Sequence, residues 1–189
     1  VAAAAHGSLV GRGTVLVSLL ETGRGALRGL SATVARLLRK LAERMRLADD
    51  VQHALSIAAL LHDVGKAATY HLTALNVAVF ESHRTVAQKV FLTPIKLFDA
   101  VPLDPVTVDA LQGMYERVDG QGFPEGLMGK DIPLAARLLS LADTYADLTQ
   151  NARNPYRRTL TPAEACEVLD QQRDTVFDRN LVDLLRQTV

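Results

Sequence analysis

The hexapeptide LHDVGK, residues 61–66, sets the imidazole of His62 beside the carboxylate of Asp63, with Gly65 and Lys66 close behind. An imidazole nitrogen and a carboxylate oxygen can bind one divalent cation, and the second carboxylate oxygen can bridge to another. Gly65 lets the backbone turn sharply, and Lys66 offers a point charge to a phosphate. Asp143 lies on the stripe Ala136, Leu139, Asp143, Ala146, so its carboxylate is expected to face other helices. Burying it without a partner is costly; a metal or a hydrogen-bond network would satisfy it. His83, within FESHRTVAQKV, is either a further ligand or a polar surface residue. His71, five residues after Lys66, could swing into the same pocket. His53 and His6 carry no signal, and the lone Cys166 reads as a small core residue rather than a nucleophile.

Positioning such side chains takes a framework, and the pattern of apolar residues is helical. Positions 30, 34, 37, 38, 41 and 45 share one face, and Asp49 or Asp50 can cap a second helix that stops near Gly65. A third is expected from Ala74 to Phe91. A fourth opens at Asp104-Pro105 and reaches Val118, followed by a long loop marked by Gly120, Gly122, Pro124, Gly126 and Gly129. Pro133 opens a strong fifth helix, Thr161-Pro-Ala-Glu164 is a capping box, and Asp178 can cap the last. Strand patterns are nearly absent, so the fold class is all-α, a bundle of about seven helices. Residues 1–27 are Gly-rich, lack a basic leader and are expected to be a linker or loosely attached segment following an upstream domain.

Composition excludes some classes of function. The chain has 189 residues, with 21 basic and 21 acidic side chains, so no net charge draws it to a nucleic-acid polymer or a membrane surface. No apolar run approaches the roughly 20 residues that span a bilayer. A single cysteine forms no internal disulfide and points to a reducing cytoplasm.

Three stretches, LHDVGK, ERVDGQGFPEGLMGKDIPLAARLLSLADTYADLT and NPYRRTLTPAEA, together resemble the HD-GYP domain. That is the branch of the HD metal-dependent phosphohydrolases that hydrolyses the bacterial messenger cyclic di-GMP. The similarity covers about residues 28–189 and implies an HD-domain helical bundle in cyclic di-GMP signal transduction. It makes His62, Asp63, His83 and Asp143 metal ligands, with Asp63 bridging, and places Lys66 near the scissile phosphate. Asp63 and Lys66 would be the catalytic pair. Arg153 and Arg157 stand near the family's phosphate-contacting bases, and with Lys66 would bind the ligand. Gly122-Phe123-Pro124 replaces the family's Gly-Tyr-Pro and would form a partner-docking loop, with a diguanylate cyclase or regulator domain as the implied partner.

Departures from that pattern bear on chemistry. The family has a histidine or glutamate ligand where this chain has Leu30, and paired histidines where it has Met114 and Tyr115. Leucine ligates no metal; thioether sulfur and neutral phenol suit iron, manganese or magnesium poorly. The expectation is therefore no metal, or one divalent ion (iron, manganese or magnesium) at partial occupancy. Hydrolysis is expected to be absent or weak, and the module to act by binding cyclic di-GMP, a related nucleotide or a protein partner. An active phosphodiesterase with a reduced metal site is the alternative, and a homodimerising structural module a more distant third. Val108, Leu111, Tyr115 and Val118 share helical spacing, so Tyr115 is expected to fill core volume. Glu116, in the charged segment ERVDG, is expected to be solvated or salt-bridged rather than a ligand.

Overall fold

Leu30, Val34, Leu37, Leu38 and Leu41 form the buried stripe of α1 (Leu30–Arg44) in a computed structural model describing residues 29–66 and 71–189. The linker expected over residues 1–27 lies outside the described residues. In α2 (Asp49–Leu61) the cap position is Ala48, not an aspartate; Asp49 and Asp50 occupy the first turn. Their carboxylates there face the positive end of the helix dipole.

The seven expected helices become nine among the described residues. One added element is α5 (Thr93–Leu97), a short turn opened by Pro94. The other arises because the single helix expected from Ala74 to Phe91 is α3 (Ala74–Val79) and α4 (Glu81–Val90), parted at an extended Phe80 (φ −116°, ψ 115°). Anchors on either side of Phe80 aim the two pieces differently. The Asn76 amide in α3 donates to the His71 carbonyl at 3.0 Å and to Asp147 at 3.3 Å. Arg84 in α4 donates to the carbonyls of Gln121 at 2.9 Å and Gly122 at 3.3 Å.

Asp104 caps α6 (Pro105–Gly113), accepting from the Val106 amide at 2.8 Å. This helix stops short of Val118, because the following residues serve the loop. The Tyr115 carbonyl accepts from the Phe123 amide. Glu116 is not solvated and has no salt bridge among the described residues: it is buried and accepts from the amides of Glu125 at 2.7 Å, Gly126 at 3.2 Å and Leu127 at 3.0 Å. One carboxylate thus closes a turn that supplies its donors. Against this clamp a Cβ on Gly122 would lie 2.4 Å from the Arg117 nitrogen, so only glycine fits.

The bundle is completed by α7 (Leu134–Gln150), α8 (Pro162–Asp170), with the expected capping box, and α9 (Arg179–Arg186), capped by Asp178. Every residue of α7 from 138 to 148 is buried, because α1, α2, α3, α6, α8 and α9 all pack on it. A helix enclosed on every side is the core of the domain. Its polar residues, Asp143 and Asp147 among them, must therefore find partners inside the protein. Two isolated bridges are the only strand-like pairing among the described residues, and the fold is all-α.

Candidate metal centre and adjoining cavity

His62 is the C-cap of α2, its backbone amide bonded to the Ala58 carbonyl. Its ring Nδ1 lies 2.7 Å from the carbonyl of Ala59, an acceptor only, so Nδ1 carries a proton. In a neutral ring Nε2 is then a lone pair, yet it faces Asp143 Oδ1 at 3.1 Å. Two acceptors meet, and a proton or a metal ion between them would satisfy both. His71 brings its Nε2 to 2.7 Å from the same Asp143 oxygen. The ligand atoms of His62, His71 and Asp143 all lie within 4.8 Å of one another, and all three residues are buried.

The donor set suits a divalent cation, and two atoms ask for one: Asp143 Oδ2 and His71 Nδ1 are buried without a hydrogen-bond partner among the described residues. Asp63, with Oδ1 3.9 Å from His71 Nδ1, stands at the edge of the group and is partly exposed. An ion held by His62, His71 and Asp143 would supply Lewis-acid polarisation of a phosphoryl oxygen.

Where the resemblance places a histidine pair, this chain has built something different. Lys66 is buried, with its ammonium donating to Tyr115 Oη at 3.1 Å and Met114 Sδ at 3.2 Å, and lying 4.9 Å from the centre of the Tyr115 ring. Tyr115 in turn donates to the Leu72 carbonyl at 2.9 Å and stacks on Phe123 at 5.2 Å. Together with the Asn76 bond to the His71 carbonyl, this pins the segment that carries His71. Leu30 is buried in the same core cluster as Met114 and Tyr115. Gly65, at φ +77°, makes the turn that lowers Lys66 into this position.

The charges shape one another. Burial alone would lower the pKa of His71, but the hydrogen-bonded Asp143 carboxylate, with Asp63 and Asp147 beyond it, raises it to about 10. Burial likewise opposes ionisation of Asp143, and His71 and His62 overcome it, holding the carboxyl far below its usual range. Burial lowers Lys66 to about 8, against the pull of Asp63 and Asp143. Burial raises Asp147, partly offset by His71 and by the amide of Asn151, which donates to it at 2.7 Å.

These shifts predict a pH profile for the chelated protein. The raised His71 contributes stability that is complete below its ordinary value of 6.5 and is lost as pH climbs toward 10. The depressed Lys66 acts oppositely, so stability regained between about 8 and 10.5 offsets part of that loss. The urea midpoint in EDTA is therefore expected to fall between pH 6.5 and 8 and then to level. His71→Gln should flatten the decline; a midpoint already flat in the wild type would refute the ion pair.

His83 does not join the metal-centre group. It is half-buried in α4, its ring 4.9 Å from that of Phe80, and burial lowers its pKa. It lines a cavity of about 500 Å³ shared with Asn76, Phe80, Arg153, Asn154 and Arg157. Arg153 and Arg157 are exposed there, and neither is paired with a carboxylate among the described residues. Lys66 is not part of the cavity wall, so the three bases proposed for ligand binding are divided between two places. The loop residue Phe123 is buried between Tyr115 and Phe91, which leaves Pro124 and Glu125 as the exposed part of the Gly-Phe-Pro turn. His71 reached the metal centre from a secondary candidacy, and Asn76 had no signal in the sequence at all.

The chain is an all-α bundle in which His62, His71 and Asp143 meet at its middle helix, and the HD domain family matches residues 14–181. The chain belongs to that family. The cyclic di-GMP phosphodiesterase response regulator RpfG of Xanthomonas campestris is 33% identical over 148 residues, 77% of this chain and 39% of that protein. A probable cyclic di-GMP phosphodiesterase of Vibrio cholerae is 31% identical over 180 residues, 86% of this chain and 39% of that protein. The chain thus spans about two fifths of the length of these curated relatives. A solved cyclic GMP-AMP-specific phosphodiesterase of V. cholerae superposes with a TM-score of 0.73 at 17% identity, over 95% of this chain and 48% of that one. Bd1817, an HD-GYP-type protein of Bdellovibrio bacteriovorus, superposes at 0.67 and 22% identity, over 84% of this chain and 50% of that one. The HD-GYP resemblance in the motifs agrees with these matches. Among the described residues, no helix is long and apolar enough to cross a membrane.

Proposed function

We propose that this chain is a cyclic-dinucleotide signalling module of HD-GYP type that binds its ligand and hydrolyses it weakly or not at all. The carrying observation is the Lys66 ammonium, held by Met114 Sδ and Tyr115 Oη where the resemblance calls for two histidine ligands. A fixed cation there repels a second metal ion, and thioether and phenol do not attract one. The activities of the relatives, on cyclic di-GMP and 3'3'-cGAMP, support a purine cyclic dinucleotide as the ligand class. The Arg153 and Arg157 guanidiniums in the cavity support phosphate binding that does not depend on metal.

Calorimetry with cyclic di-GMP is expected to show binding that weakens with salt and falls at least about tenfold in Arg153→Ala/Arg157→Ala. No heat at high protein concentration, or affinity unchanged in the double variant, would defeat this reading. The His62, His71 and Asp143 cluster favours a second reading, a phosphodiesterase working with a single ion. Turnover with manganese, iron or magnesium that disappears in Asp63→Ala would establish that alternative.

A further inference from the structure

Asn76 is 3% exposed, and its amide group is only half used. The Nδ2 nitrogen donates to the His71 carbonyl at 3.0 Å and to Asp147 Oδ2 at 3.3 Å. Both partners are acceptors, so the amide cannot be turned round without setting oxygen against oxygen. The other end, Oδ1, is thereby fixed as an acceptor, and it has no donor among the described residues. A buried amide oxygen left unpaired is destabilising and uncommon in folded proteins. Solvent does not pair it, because the atom is shielded from water. Asn76 nevertheless forms part of the wall of the cavity that holds Arg153, Arg157, Phe80 and His83.

Those groups define a ligand by its chemistry. Two guanidiniums without carboxylate partners among the described residues suit phosphate oxygens. The Phe80 and His83 rings, 4.9 Å apart at the cavity, offer faces to a flat heterocycle. The orphan oxygen needs an N–H. A phosphate joined to an aromatic base that carries an amino group meets all three requirements. A volume of about 500 Å³ falls within the range of small-molecule sites.

We infer that Asn76 Oδ1 is a specificity determinant that accepts a hydrogen bond from the exocyclic amino group of a purine in this cavity. The base would reach the shielded oxygen by displacing Phe80, a wall residue 38% exposed at the break between α3 and α4. Because the same amide holds the backbone of His71 and the carboxylate of Asp147, occupancy of the cavity acts directly on the segment carrying a metal-centre histidine. Asn76 thus reads the ligand from one end and braces the metal centre from the other. The inference rests on the proposed nucleotide-binding function and adds to it the identity of the base edge that is read.

The test compares cyclic di-GMP with cyclic di-IMP, which keeps the phosphates, sugars and ring system and lacks the exocyclic amino group. The intact chain should bind cyclic di-GMP at least about tenfold more tightly, since only it satisfies the buried oxygen. In Asn76→Ala that preference should shrink to about twofold or less. In Arg153→Ala/Arg157→Ala both ligands should weaken together with the preference kept, because phosphate contacts do not report the base. Equal affinity of the intact chain for the two ligands overturns the inference and leaves the nucleotide-binding function standing. A preference that survives in folded Asn76→Ala also overturns it. Binding of neither ligand overturns both. Should Asn76→Ala fail to fold, the comparison in the intact chain decides alone.

Discussion

Asp143→Ala is expected to abolish divalent-ion uptake and to lower folding stability by roughly 3–5 kcal/mol, the range seen when one member of a buried ion pair is removed. Asp143 is fully buried on the central helix, with one oxygen shared by His62 at 3.1 Å and His71 at 2.7 Å. It also draws on the buried Lys66 ammonium. Without it, His71 loses its hydrogen-bonded counter-charge and Lys66 loses one of the two carboxylates that favour its charged form. The surroundings cannot readily open to water, because every residue of the helix from 138 to 148 is enclosed. Asp143→Asn should fall between the wild type and Asp143→Ala, since it retains an acceptor but not the charge. Urea unfolding and elemental analysis measure the two effects separately. A variant as stable as the wild type, or one that still takes up an ion, would show that the carboxylate is not the hub of this cluster.

A second metal ion should appear only when Lys66 is removed along with the residues that hold it. Met114→His/Tyr115→His would place two imidazoles against an ammonium that now lies 3.2 Å from Met114 Sδ and 3.1 Å from Tyr115 Oη. That pair of changes is expected to leave metal content at no more than one ion per chain, because two cations cannot share the space. Adding Lys66→Met clears the charge, and the triple variant is expected to approach two ions per chain. Some stability will be lost, on the order of 2–4 kcal/mol, because Tyr115 gives up its stack on Phe123 and its bond to the Leu72 carbonyl. Thermal melting with and without metal distinguishes a folded variant that refuses the ion from an unfolded one. Two ions in the double variant, with Lys66 still present, would dismiss the tethered ammonium as the obstacle.

Much of the framework was legible in the chain because it rests on local rules. The α1 stripe, the proline-led starts of α6 and α8 and the Asp178 cap follow from spacings of three and four residues and from side chains that reach their own helix end. The burial of Asp143 was legible for the same reason, since its helix offers no polar face along that stripe. Local rules failed where a distant partner outweighed them. The break at Phe80 depends on Asn76 meeting Asp147, 71 residues away, and on Arg84 meeting the glycine loop. Glu116 looked like a solvated charge in a charged segment, yet three amides nine to eleven residues on converge on it.

Residue types told which chemistry was available: imidazole and carboxylate for a metal, lysine and arginine for phosphate, and thioether and phenol where imidazoles would be needed. They did so because donor atoms belong to side chains whatever the fold. Which donors meet was decided in three dimensions. His71, not His83, shares the Asp143 oxygen with His62, because Tyr115 and Asn76 pin its backbone beside the central helix. His83 is carried to the cavity of Arg153 and Arg157, because α4 sets off in a new direction after Phe80. Lys66 turns inward toward Tyr115 rather than outward to that cavity, since Gly65 permits the turn and two carboxylates attract the ammonium. Each of these outcomes depends on contacts between residues far apart in the chain, and such contacts leave no mark in the spacing of neighbours.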